Sequence, residues 1–238
     1  ISNDGGTGTL NNAYYNTGLG WEVFDDLTSG DSNTVMGNQA GYKLTSATGN
    51  TLIGRLAGTN IQTGSYNTAI GYNAIGGTTT HAGQKHTAVG YGALENLTGG
   101  EENTAVGYLA GRAITTASGS VIMGQEALKT LQTGNFNVAL GREALLKLNG
   151  AADNVAVGKA AGENIETGAA NTLIGKAAGA ANVTGSNNIY IGKNSTSASS
   201  APSHVIIIGT VATALNENNQ FAFGNDTHGI VHNNFDTN

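Results

Sequence analysis

A glycine returns every 17 residues along almost the whole of this chain, and a large apolar residue stands in front of each one. The glycines are Gly20, Gly37, Gly54, Gly71, Gly90, Gly107, Gly124, Gly141, Gly158, Gly175, Gly192, Gly209 and Gly224, and the spacing departs from 17 only at Gly71 to Gly90 (19) and Gly209 to Gly224 (15). A fixed period of this length means one short unit stacked on copies of itself, so equivalent positions line up in columns along an axis. The expected fold is all-β, a parallel β-solenoid of 17-residue coils. Residues 1–15 lead in, residues 16–224 form about 13 coils, and residues 225–238 form a C-terminal tail or tip.

Each column then receives a role. The residue just before the glycine (Leu19, Met36, Ile53, Ile70, Val89, Val106, Met123, Leu140, Val157, Ile174, Ile191, Ile208, Phe223) is always large and apolar and reads as the core ladder. Two before the glycine, on the other strand face, stand Val35, Leu52, Ala69, Ala88, Ala105, Ile122, Ala139, Ala156, Leu173, Tyr190 and Ile207, none charged. A strand apolar on both faces must be covered on both. This second column therefore reads as the interface of a homo-oligomer whose axis runs parallel to the direction in which the coils stack. Four before the glycine comes Asn in most coils, either a corner residue tolerant of left-handed backbone or a buried Asn ladder. After the glycine, Ala at the third position and Leu or Ile at the seventh (Ala93 with Leu97, Ala110 with Ile114, Ala127 with Leu131) suggest a short helical arc. The runs "EALKTL" and "EALLKL" contain good helix formers.

Composition narrows the function. The chain has 37 glycines, one proline and no cysteine, and only 11% of its residues are charged, against about 25% in an average domain. Without cysteine there are no disulfides and no zinc-thiolate sites. The net charge of −6 argues against nucleic acid held by a general basic field. No run approaches the roughly 20 apolar residues of a membrane span, so membrane insertion is not expected. Ile1 in place of an initiator Met reads as a processed or excised piece.

The segments "NTLIGRLAG" (50–58), "NTAIGYNA" (67–74), "NTAVGYLAG" (103–111) and "NVAVGKAAG" (154–162) resemble the head repeats of trimeric autotransporter adhesins. They are similar also to the "NTAIG" repeats of phage tail fibres and of mosaic trimeric adhesins on bacterial surfaces. The resemblance spans about residues 16–224 and implies a left-handed parallel β-roll of three chains side by side. It implies an extracellular adhesive or receptor-binding module, on a cell surface or a virion tail, recognising a cell-surface glycan or envelope receptor. Tail-fibre families that it resembles often carry a self-cleaving chaperone beyond such a point, which would make Asn238 a natural end.

Candidate binding residues sit in the column just after the glycine. Tyr72, Tyr91 and Tyr108, on consecutive coils, would form an aromatic strip for sugar rings, Trp21 is a further candidate in the same column, and the run from Arg142 through Lys159 and Lys176 to Lys193 could meet an acidic polysaccharide or lipid phosphate. The insertion within "GGTTTHAGQKH" (76–86) should protrude as a larger loop and adds His81 to the candidates. His228 and His232 share a face if the tail is extended, and three chains would then present six imidazoles on an axis. No cofactor or resident metal is expected. No nucleophile, base and acid order stands out, and Asp25 with Asp26 and Glu101 with Glu102 are adjacent and so point apart on a strand. The expectation is therefore a non-enzymatic protein. Two other readings remain open: a purely structural fibre shaft, and an ice-binding solenoid built on the ladder Thr17, Thr34, Thr51, Thr68, Thr87 and Thr104.

Overall fold

The computed structural model describes residues 13–77, 79–210, 218–225 and 233–234. The chain divides into two compact units, Ile1–Ser120 and Val121–Asn238. The first carries six short strands: β1 (Thr17–Leu19), β2 (Thr34–Met36), β3 (Thr51–Ile53), β4 (Thr68–Ile70), β5 (Thr87–Val89) and β6 (Thr104–Val106). Each pairs in parallel with the next, one period apart, as in Thr51↔Thr68 and Ile53↔Ile70. The second unit repeats the arrangement with β7 (Val121–Met123), β8 (Val138–Leu140), β9 (Val155–Val157), β10 (Thr172–Ile174), β11 (Ile189–Ile191), β12 (Ile206–Thr210) and β13 (Gln220–Asn225). A last short strand, β14 (Asn233–Asn234), runs antiparallel to β13. Both units are parallel β-solenoids with one strand per coil.

The recurring glycine is required twice over. At Gly141 the backbone has φ +139°, where an L side chain is strained. A Cβ there would also lie 2.5 Å from the Gly158 carbonyl oxygen of the next coil. Only hydrogen lets successive strand ends approach so closely, and so the period appears in the sequence as glycine.

The inward strand face is the reverse of the expected one. Val35, Leu52, Ala69, Ala88, Ala105, Ile122, Ala139, Ala156, Leu173, Tyr190 and Ile207 are at most 1% exposed within a single chain. They are core, and the column in front of each glycine points outward. The reason is the narrowness of a 17-residue coil. Its interior must also hold the Ala column (Ala93, Ala110, Ala127, Ala144) and the Leu and Ile column (Leu97, Ile114, Leu131, Leu148), all buried. In three coils a glycine makes room for a large side chain six residues away: Gly18 lies against Phe24, and Leu52 and Leu173 stand over Gly58 and Gly179. A Cβ on Gly58 would meet the Leu52 methyls at 2.7 and 2.8 Å. Tyr190 is enclosed with them, its hydroxyl donating to Ser197 Oγ at 3.2 Å, and burial pushes its pKa up to about 12.

The expected helical arcs are tight turns instead. In the coil that begins at β8, Ala144 N–H bonds within the arc to Gly141 O at 3.2 Å, Glu143 N–H reaches back to Gln125 O at 2.9 Å, and Leu145 N–H reaches forward to Ala161 O at 2.9 Å. Glu143 and Leu145 have φ of +59° and +51°. Alternate left-handed residues turn successive N–H groups in opposite directions along the axis, so the donors an α-helix would use internally go to the neighbouring coils.

The Asn column is a buried ladder, with the left-handed residue one position earlier, as at Asp153 (φ +61°). Asn154 donates its N–H and Nδ2 to Asn137 Oδ1 at 3.0 and 3.2 Å, and Nδ2 also reaches Gly168 O at 3.0 Å. Its own Oδ1 accepts the N–H and Nδ2 of Asn171, both at 3.0 Å. Asn154→Leu keeps the branched outline of the side chain and strands those partners, each at a cost of about 1–3 kcal/mol. The urea midpoint is expected to fall clearly below wild type at matched protein concentration. An unchanged midpoint would show that the ladder is not needed.

Candidate functional site

The outward strand face is a continuous apolar surface in each unit. In the first, Leu19, Met36 and Ile70 are exposed and Ile53, Val89 and Val106 are half-buried. In the second, Met123 is 46% and Ile174 40% exposed, with Leu140 and Val157 half-buried between them and Ile191 half-buried in the next coil. The neighbouring outward position is Thr throughout the first unit and mainly apolar in the second, as Val121, Val138, Val155, Thr172 and Ile189. No residue on either column of β1–β11 is charged.

The column after each glycine flanks this face. In the first unit Tyr72, Tyr91 and Tyr108 are stacked, with ring centroids 5.0 and 5.4 Å apart and interplanar angles of 15° and 24°. The Arg55 guanidinium lies 5.6 Å from the Tyr72 centroid. Both faces of Tyr72 and of Tyr91, and one face of Tyr108, on which a pyranose would stack are therefore occupied by one another and by Arg55. Trp21 is exposed, 59%, and separated from the stack by the coils of Asn38 and Arg55. In the second unit the same column carries the exposed cations Arg142, Lys159, Lys176 and Lys193.

His81 is not a surface residue, and the inserted segment does not simply protrude. Thr79, Thr80 and Ala82 are exposed, but His81 and His86 are each 1% exposed. His81 pairs with Ile61 in a parallel bridge and so takes the place of Leu or Ile in the inner column. His86 stands four before Gly90, in the Asn ladder. Its N–H donates to Asn67 Oδ1 at 2.9 Å and its Nδ1 accepts the Asn103 N–H at 3.2 Å. That acceptor role assigns the proton to Nε2, which faces the Gly100 carbonyl without forming a hydrogen bond. The two rings are 5.5 Å apart, and neither nitrogen of His81 has a hydrogen-bond partner. Gly83 packs between them, where a Cβ would meet His81 Cε1 at 2.7 Å and His86 Nε2 at 2.8 Å.

Polar chemistry elsewhere is sparse. An open groove of about 390 Å³ in the second unit is lined by Thr130, Gln132, Lys147, Asn149, Glu166 and Thr167. These residues lie on three successive coils at positions to which the column reading gave no role. Of the adjacent carboxylates, Asp26 pairs with Lys43 at 3.4 Å and Glu102 with Lys85 at 2.9 Å. Among the described residues no three His, Asp or Glu side chains come together as metal ligands. His228 and His232 lie outside the described residues. No protein-family model, curated protein or solved structure matches the chain.

Burial lowers the pKa of His81 and of His86 from 6.5 to about 4. Unfolded chains therefore take up these protons first as the pH falls. Stability is complete above about pH 6.5 and is lost between there and pH 4, by up to about tenfold in the folding equilibrium per histidine per pH unit. Carboxylates common to both proteins cancel in a comparison of wild type with His81→Leu/His86→Asn. Urea midpoints at pH 7 and 4.5 should fall less in the variant; parallel falls would remove the histidines from the acid response.

Proposed function

We propose that this chain is a non-enzymatic module of a trimeric extracellular fibre or surface adhesin. Three parallel copies cover the apolar strand faces and leave their flanks free to attach to a cell-surface glycan or envelope receptor. The observation that carries the reading is the uncharged apolar column in front of the glycines, exposed or half-buried over β1–β11. A patch that large on an isolated chain marks an interaction surface. Because it repeats with the coil, its natural cover is the same surface on sister chains about an axis parallel to the direction in which the coils stack. The left-handed winding and the virion or cell-surface setting belong to this reading through the repeat resemblance.

The stacked tyrosines favour a supporting role for the flank of the first unit. Rings packed face to face at coil spacing stiffen a shaft and offer little platform to a sugar. Receptor contact is better placed on the second unit, which has the open polar groove and the cationic column.

Sedimentation velocity tests the assembly. The wild type is expected at three times 24.0 kDa. Val157→Glu puts a charge on the outward face and is expected to give a folded monomer, whereas Ala156→Glu puts it inside the coil and should prevent folding. A trimer that survives Val157→Glu, or a monomeric wild type, would overturn the proposed interface.

A further inference from the structure

We propose that the column Arg142, Lys159, Lys176 and Lys193 is a docking track for a linear anionic polysaccharide. The proposal deepens the receptor-attachment reading and rests on it. Strands β8, β9, β10 and β11 pair in parallel with a 17-residue offset, so the residues two beyond each strand stand in one column, about 4.8 Å apart. All four are exposed cations. Four of the chain's 10 basic residues thus lie in a single file on a protein of net charge −6.

Like charges stacked at strand spacing repel one another, and most other cations of the chain are relieved by a carboxylate: Lys43 by Asp26, Lys85 by Glu102, Arg112 by Glu95, Lys129 by Glu126. Within the column only Arg142 has such a partner, Glu143 at 2.7 Å. Beside Lys159, Lys176 and Lys193 the corresponding positions are Ala160, Ala177 and Asn194, and among the described residues these lysines make no ion pair. A sister chain does not supply the missing charge either. Neutralising three lysines in register needs three carboxylates in one column, and the described acids of the second unit (Glu126, Glu143, Asp153, Glu163, Glu166) form no such column. The complement must come from outside and must repeat along a line.

A linear polymer with an acidic group on successive sugars meets that condition, since a pyranose ring is close in length to the spacing between coils. A planar lipid surface would need cations spread over a face rather than in a file. Single-stranded nucleic acid would call for aromatic rings between the cations, and the interleaved positions are Ala and Asn.

Binding of dextran sulfate, polygalacturonate and neutral dextran is measured by isothermal titration at two salt concentrations, with sedimentation of the same samples. The acidic polymers are expected to bind and dextran is not. The affinity should fall with salt, because bound polyanion releases its counterions. Lys159→Gln/Lys176→Gln/Lys193→Gln is expected to weaken binding tenfold or more and flatten the salt dependence, while Lys129→Gln, outside the column, leaves both unchanged. The track is overturned if the triple variant binds like wild type, if wild type binds no acidic polymer at low salt, or if phosphatidylglycerol vesicles or single-stranded DNA bind as tightly. A trimer that binds none of the acidic polymers removes the track alone. A monomer that binds them through the column removes the trimer and leaves the track.

Discussion

Everything in this structure depends on hydrogen bonds that run from coil to coil. A three-residue strand cannot hold itself, and the arcs between strands keep only isolated turn bonds of their own, such as Ala144 N–H to Gly141 O and Leu148 N–H to Leu145 O. Backbone donors and acceptors are satisfied because each coil offers them to the coil before and the coil after, as Glu143 and Leu145 do in opposite directions. The Asn ladder does the same with side chains in the interior, where an unmade hydrogen bond is costly. Two consequences follow. The coil must repeat with almost constant length, or the donors miss their acceptors. At strand ends the backbones must come so close that only glycine fits, as at Gly141 against Gly158 O.

The same constraint explains what happens where the length changes. Two extra residues between Gly71 and Gly90 bring two imidazoles into the interior. His86 keeps the ladder going because its Nδ1 accepts the N–H that an Asn Oδ1 would accept. It is a poorer substitute, for its Nε2 is rigidly placed and does not complete the bond to Gly100 that Asn103 Nδ2 makes to Ala117 in the next coil. His81, in a column that is otherwise aliphatic from Leu27 to Ile165, is worse provided, since neither of its nitrogens has a hydrogen-bond partner. Burial keeps both rings neutral near pH 7.

Much of this was legible in the sequence, and the exceptions have physical causes. The period, the strand ends and the parallel register follow from glycine spacing alone. The choice of inward face does not, because alternation separates two faces without saying which one the arc closes over. Bulk pointed to Ile70 and Val106, whereas the interior has room for Ala69 and Ala105. The pairing of Gly18 with Phe24 and of Leu52 with Gly58, six residues apart, was the signal that could have decided it. The arcs were misread because their helix formers sit at left-handed φ, Leu145 and even the β-branched Ile75; local propensity gave way to bonding between coils. His86 could have been found by counting four back from Gly90. The stacking of the tyrosines followed from the column, but the loss of their faces to one another needed coordinates.

The most direct measurement uses the chain's own two methionines, Met36 and Met123, both on the outward apolar column and each 46% exposed on a single chain. Their oxidation by hydrogen peroxide would be followed by mass spectrometry in wild type and in Val157→Glu at the same protein concentration. Coverage of that column by sister chains predicts slow oxidation of both residues in wild type and oxidation near the rate of free methionine in the variant. Fast oxidation of both in the wild type would mean that the apolar faces stand open in solution, and the trimeric arrangement would be contradicted.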